Sequence, residues 1–193
     1  MIYSDKIEKA IRQASLLHRG QLRKGDGSVP FITHPFAIAL ILSKFSDDED
    51  VIVGGILHDI IEETSYSYEE LEKDFGEKIR NMVESVTECR KVDAPAKTWQ
   101  ERKETYLGLM GKMSHQALII SAADKIHNLL SMMYDYKIVG ESMWNKFSVP
   151  SDKRLWFYGE CLKILQKRLK SPIVEEYKKV FKMAQELFDD KIF

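Results

Sequence analysis

Apolar residues recur at helical spacing along most of this chain. Ile7, Ala10, Ile11, Ala14 and Leu17 form one stripe behind Asp5, predicting a helix that runs to His18. Arg19 to Pro30 breaks the pattern with Gly20, Gly25, Gly27 and Pro30, which predicts a loop. Thr33-His34-Pro35 then opens a second helix. Thr33 is its expected cap, and Pro35 falls in the first turn, where a missing N–H has no helical partner to lose. From Phe36 to Leu42 that helix is apolar nearly all round, so it should be central and buried. A third helix is expected from near Asp47, carrying Val51, Ile52, Val53, Ile56 and Leu57 on through His58-Asp59 and Glu62-Glu63 to Thr64.

Ser67 with Glu70, and Thr98 with Glu101, each have the spacing of a capping box. The first should open a short helix ended by Phe75-Gly76, followed by an amphipathic helix from Glu77 to Cys89. Arg90 to Lys97, with Pro95, reads as a loop. Ala117 to Tyr136 predicts a long buried helix, and Asp152 to Leu169 another. Ser171-Pro172 has the form of a helix start for the last. No segment alternates as a strand does, and no repeat is evident. The expected fold is all-α: one domain over residues 1–193, with a core over 5–135 and C-terminal helices at 150–193 packing on it.

Composition narrows the function classes. The 193 residues are 44% hydrophobic and 31% charged, an ordinary globular balance. Lys and Arg number 29 against 30 Asp and Glu, which argues against a general nucleic-acid binder. Two distant cysteines, Cys89 and Cys161, are too few for a disulfide scaffold and read as plain thiols. The opening residues lack a signal-peptide pattern, and the longest apolar run is too short to span a bilayer. A cytoplasmic protein without membrane or nucleic-acid partners is the expectation, and a homodimer is compatible with it.

Candidate chemistry lies in the histidines. His115, beside Ser114 at a helix start, has an ordinary structural reading. His58-Asp59 differs, because it ends the apolar run Val51 to Leu57. Two ionisable groups buried there need partners, and a divalent ion would satisfy both. If the helix continues, Glu62 lies one turn beyond His58 on the same face, and Glu63 one turn beyond Asp59. Asp124 is similarly placed between Ile119-Ile120 and Ile126, and His34 could supply a second imidazole. Two imidazoles and two carboxylates suit a borderline-hard ion such as Mn²⁺ better than structural zinc.

Several stretches carry a resemblance. They are His18-Arg19-Gly20-Gln21-Leu22-Arg23-Lys24, Pro30-Phe31-Ile32-Thr33-His34-Pro35, Leu57-His58-Asp59, Phe75-Gly76 and Ala123-Asp124-Lys125-Ile126-His127-Asn128-Leu129. Through these the sequence resembles the HD-domain phosphohydrolase superfamily. More narrowly it resembles the hydrolase domains of the RelA/SpoT alarmone family and their small stand-alone relatives. The resemblance implies hydrolysis of a guanosine 3′,5′-bis(diphosphate)-type alarmone with release of 3′-pyrophosphate. It further implies one Mn²⁺ held by His34, His58, Asp59 and Asp124, and Glu62 and Glu63 as the catalytic acidic pair. Glu63 is one methylene longer than the family's usual Asp. The substrate contacts it implies are Arg23, Lys24, Phe31, Asn128 and, more weakly, Ser131. Phe31 stands where many relatives have tyrosine. The length leaves no room for a synthetase domain, so a bifunctional enzyme is not expected. Two alternatives stay open: an HD hydrolase of another nucleotide or phosphoester, and a nucleotide sensor that binds without turnover. Trp99, Trp144, Trp156 and the methionines read as core. Lys153 and Arg154 could add a basic wall, though helix packing explains them equally.

Overall fold

Helical spacing in the sequence becomes helices α1 (Asp5–Leu17), α2 (Thr33–Leu42), α3 (Glu49–Leu57), α4 (Ile60–Glu63), α5 (Tyr68–Phe75), α6 (Glu77–Val86), α7 (Trp99–Met110), α8 (His115–Val139), α9 (Ser151–Arg168) and α10 (Pro172–Asp189) in the computed structural model. The structure describes residues 3–23, 27–88 and 98–189. Among them the fold is all-α, with one isolated β-bridge between Leu22 and Pro30. Both expected capping boxes form, at Ser67/Glu70 and Thr98/Glu101, and Ser4 and Ser114 cap α1 and α8. A 3-10 helix, Gly140–Lys146, follows α8, an element the apolar spacing did not indicate.

α3 runs through the middle. Every residue from Val51 to Leu57 is buried, and the helix packs on α1, α2, α6 and α8. Two adjacent glycines make that crowding possible. A Cβ on Gly55 would stand 2.2 Å from Leu42 Cδ1 and 3.1 Å from Ile38 Cγ2, both on α2. A Cβ on Gly54 would stand 2.9 Å from Ile120 Cδ1 on α8. Gly55 therefore admits α2 and Gly54 admits α8, and the C-terminal end of α3 is drawn close to both.

α8 is the second organising element. Leu118, Ala122, Ala123, Ile126 and Leu129 are buried in it. α10 covers its outer side with Ile173, Tyr177, Val180, Ala184 and Phe188, while α9 packs on α10, α7 and α8.

Three expectations need correction. The third helix does not continue through His58-Asp59. α3 ends at Leu57, and the short α4 restarts at Ile60. The Glu63 N–H reaches the Asp59 carbonyl at 2.9 Å, so Asp59 begins a new turn. The helix of Phe36 to Leu42 is not buried all round, because Leu40 is 69% exposed. An apolar run of seven residues gives no sign of which side faces water, and here packing on α3 and α8 decides it. Thr33 does not cap α2. It is the first helical residue, and its hydroxyl donates to the Pro30 carbonyl at 2.8 Å.

Candidate metal centre and its cavity

The break after Leu57 turns His58 and Asp59 toward α2 and α8. The His58 Nδ1–H donates to the Gly55 carbonyl at 2.8 Å, since a carbonyl can only accept. That leaves Nε2 facing the carboxylates. Nε2 is 3.1 Å from Asp59 Oδ1, a charge contact rather than a hydrogen bond, for this buried nitrogen has no hydrogen-bond partner among the described residues. His34, in the first turn of α2, places Nε2 3.2 Å from Asp124 Oδ1 and 3.5 Å from Asp59 Oδ2. Asp124 Oδ1 is also 3.9 Å from His58 Nε2. Ligand atoms of His34, His58 and Asp59 lie within 4.8 Å of one another, and Asp124 closes the group from α8.

The electrostatics here suit a cation. Burial opposes protonation of His58, yet Asp59 and Asp124 outweigh it and raise the imidazole to about 9. Burial likewise opposes ionisation of Asp59, but His58 and His34 hold that carboxyl well below its ordinary value. Two buried carboxylates pull a proton onto a ring whose unshared nitrogen faces them. A divalent ion among two imidazoles and two carboxylates would satisfy the same field with ligands of suitable softness, so the residues fit one.

A surrounding layer fixes the four. Lys125 Nζ holds Asp124 Oδ2 at 2.7 Å and the Tyr106 hydroxyl at 3.0 Å, and Tyr106 meets Ser121 at 2.9 Å. Asn128 Nδ2 donates to Asp124 Oδ1 at 2.5 Å, and its Oδ1 accepts from Arg23 at 2.9 Å. His34 Nδ1 meets His127 Nδ1 at 2.7 Å. On the other side, Phe31 stacks on His18 with centroids 4.6 Å apart and meets His34 edge-on at 6.0 Å. The Arg23 guanidinium lies 5.6 Å over the Phe31 ring. The His18 Nδ1–H donates to Gln21 Oε1 at 2.7 Å, and Gln21 Nε2 donates to the Glu63 carbonyl at 2.7 Å, tying the loop after α1 to α4.

These groups open onto one cavity of about 550 Å³. Glu62 and Glu63 line it, and Glu62 Oε2 accepts the Glu88 N–H at 3.2 Å. Arg23, Phe31, Asn128 and Ser131 also line it. Lys24 lies outside the described residues, as do Cys89 and the loop expected at Arg90 to Lys97. Cys161 is buried and free. Trp99, read as core, contributes to the cavity wall, and Trp144 and Trp156 pack partly buried against the core. Of the basic pair on α9, Lys153 is exposed while Arg154 lines the cavity.

Sequence reasoning missed His127 and Glu88, while the pairing of Asp124 with Lys125 is one it offers as an alternative to metal binding. Helical spacing alone puts residues 124, 127 and 128 on one side of α8, which could have singled out His127. Glu88 carried no such signal. It accepts from Arg102 at 3.2 Å and pairs with Lys103, contacts between separate elements.

A helical fold with this ordered set of His34, the His58-Asp59 doublet and Asp124 defines an HD-domain protein. The chain belongs to the HD domain family, which matches residues 10–139, and within it to the RelA/SpoT-type hydrolase branch. It is 38% identical over 130 residues to a GTP pyrophosphokinase of Streptomyces coelicolor, covering 67% of this chain but 15% of that protein. It is 34% identical over 128 residues to the guanosine-3′,5′-bis(diphosphate) 3′-pyrophosphohydrolase MESH1 of Drosophila melanogaster, covering 65% of this chain and 69% of the relative. The chain thus spans a small part of the large bacterial relatives and most of the small one. Among solved structures it is similar to a metazoan ortholog of SpoT described as hydrolysing ppGpp, with TM-score 0.75, 26% identity and coverage of 94% and 96%. A Listeria monocytogenes protein matches with TM-score 0.70 and 26% identity, covering 81% of this chain and 99% of the other.

Proposed function

We propose that this chain is a Mn²⁺-dependent phosphohydrolase that removes the 3′-diphosphate of a guanosine 3′,5′-bis(diphosphate)-type alarmone. The observation that carries the reading is one cavity joining four cation-seeking ligands to Arg23, Lys103, Lys125 and Arg154. The relatives named for that reaction support the substrate class.

In this reading His34, His58, Asp59 and Asp124 hold the metal. A bound divalent ion supplies Lewis acidity, which makes water a usable nucleophile near neutral pH and offsets phosphate charge. Glu62, fixed by the Glu88 N–H, orients the attacking water and accepts its proton. Glu63 is the second carboxylate, held through its backbone by Gln21. Attack at the phosphorus borne by O3′ breaks the O3′–P bond. The O3′ oxygen takes up a proton, and pyrophosphate and the nucleoside 5′-diphosphate are released.

Arg23, backed by the Phe31 face, offers its other face to a base and its edge to phosphate. Lys24 adds charge on the same loop. Asn128 and Ser131 supply polar contacts to ribose or phosphate. The whole of residues 1–193 acts as one domain.

Purified protein incubated with ppGpp and Mn²⁺ should release pyrophosphate, and Asp59→Ala should abolish release. Metal-loaded protein that leaves ppGpp intact while cleaving another nucleotide from a panel would refute the substrate.

A further inference from the structure

α4 is too short to hold its own orientation. It has four residues, and two amides bond back along it, Glu63 N–H to the Asp59 carbonyl and Thr64 N–H to the Ile60 carbonyl. A single helical turn is unstable alone, because closing it fixes several residues for one bond. Ile60 is fully buried and anchors the start of the turn. At the other end, the Glu63 carbonyl is among those a helix leaves without an internal partner. Gln21 Nε2 donates to it at 2.7 Å.

The Gln21 amide has one orientation. A carbonyl only accepts, so Nε2 faces Glu63 and Oε1 faces His18. His18 Nδ1, 2.7 Å from Oε1, must therefore carry a proton. His18 Nε2 is left over, buried and without a hydrogen-bond partner among the described residues. An unmatched buried nitrogen is a cost. A phenyl ring would stack on Phe31 without that cost, so what the imidazole adds at this position is its Nδ1–H.

Gln21 is also built into the ribbon that faces the cavity. Its carbonyl accepts from the Phe31 N–H at 2.8 Å, Leu22 bridges Pro30, and the Arg23 N–H donates to the Val29 carbonyl at 2.8 Å. One residue thus joins the ribbon that carries Arg23 to the turn that carries Glu62 and Glu63. We propose that Gln21, oriented by His18, is a positioning residue: it fixes the end of α4 relative to Asp59 and so places the two carboxylates for the acid–base step. That step belongs to the proposed function, on which this assignment rests.

Gln21→Met keeps the length of the side chain and removes the donor. With ppGpp and Mn²⁺ it should lower kcat roughly 10- to 100-fold, the scale on which a small misplacement of a reacting group acts. KM and Mn²⁺ affinity should stay near wild type. Gln21→Glu, which can accept from His18 but cannot donate to Glu63, should lose as much. His18→Phe should lower kcat while Tm holds or rises, whereas a merely structural role would lower Tm and leave kcat. His18→Asn, whose amide can donate in place of Nδ1, should recover part of the loss. The double variant His18→Phe, Gln21→Met should be no slower than Gln21→Met alone, because both act through one bond. Wild-type kcat in Gln21→Met, or losses that multiply in the double variant, overturns the proposal. Gln21 lines the cavity, so a raised KM with kcat intact would make it a substrate contact and overturn it too. Hydrogen exchange, read without substrate, should speed up at the Glu63 and Thr64 amides in Gln21→Met and leave α3 and α8 protected. Unchanged exchange in α4 refutes the positioning role. A wild type that leaves ppGpp intact strikes the proposed reaction alone, because exchange still reports whether Gln21 holds α4.

Discussion

His34 and His127 meet nitrogen to nitrogen, their Nδ1 atoms 2.7 Å apart. One ring must donate and the other accept. Burial above all, with Arg23 acting the same way, pushes His127 down to about 3, so it stays neutral and has a lone pair to offer. If His127 accepts, His34 keeps its proton on Nδ1 and turns an unprotonated Nε2 toward Asp59 and Asp124. His127→Leu should therefore weaken Mn²⁺ binding roughly 10- to 100-fold, the usual cost of losing a group that orients a metal ligand. His127→Gln, whose amide oxygen can accept, should retain most of the affinity. Equal loss in both, measured by calorimetry, would show that ring shape rather than the hydrogen bond matters.

Metal removal should be visible in stability. The cluster is assembled only in the folded chain, so an ion that binds it stabilises that state by about 2.7 kcal/mol at a hundred times its dissociation constant. Dialysis against a chelator should lower Tm, and Mn²⁺ should restore it. In Asp59→Ala the same addition should leave Tm unchanged.

Glu62→Gln should cut kcat by roughly 10²–10⁴-fold, the range expected for a lost general base. KM should change little, because the Glu88 N–H still finds an oxygen on the amide. Glu63→Asp, which shortens the side chain and leaves its backbone bond to Gln21 intact, should change kcat only a few-fold. A collapse in Glu63→Asp with Glu62→Gln active would reverse the two roles.

Much of this was legible in the residues. Caps at Ser67 and Thr98, the apolar run of α3 and the four ligand types are local features, fixed by neighbours within a turn or two. The break at His58-Asp59 was not, since nothing there is a helix breaker and the turn arises where α3 meets α2 and α8. The bonds of Lys125 to Tyr106, of Arg23 to Asn128 and of Arg102 to Glu88 join distant stretches, and periodicity carries no record of such pairs.

Glu88 should make stability depend on acid. Burial would raise its carboxyl, but Lys103, Lys125 and Arg102 outweigh that and lower it below the ordinary 4.5. A depressed carboxyl contributes stability above its unfolded value and loses it as pH falls through the folded one. Glu88→Gln should thus lower Tm at pH 7, and the gap to wild type should shrink below pH 4.5. A gap independent of pH would mean that packing, not charge, is lost.

Gly55→Ala should destabilise the protein by about 1–3 kcal/mol, the typical cost of overpacking a filled core. Its Cβ would meet Leu42 and Ile38, both fully buried, so neither can step aside into solvent. Because Gly55 also accepts from His58, the same change should weaken Mn²⁺ binding. Chemical denaturation and calorimetry measure the two effects separately.

The family match stops at residue 139, yet Phe147, Arg154 and Phe157 complete the cavity from beyond it. On the proposed reading, the residues that hold the metal and those that close the cavity from α9 come from different stretches of the chain. Exchanging residues 147–158 between relatives would then reshape one wall of the cavity and leave the four metal ligands in place.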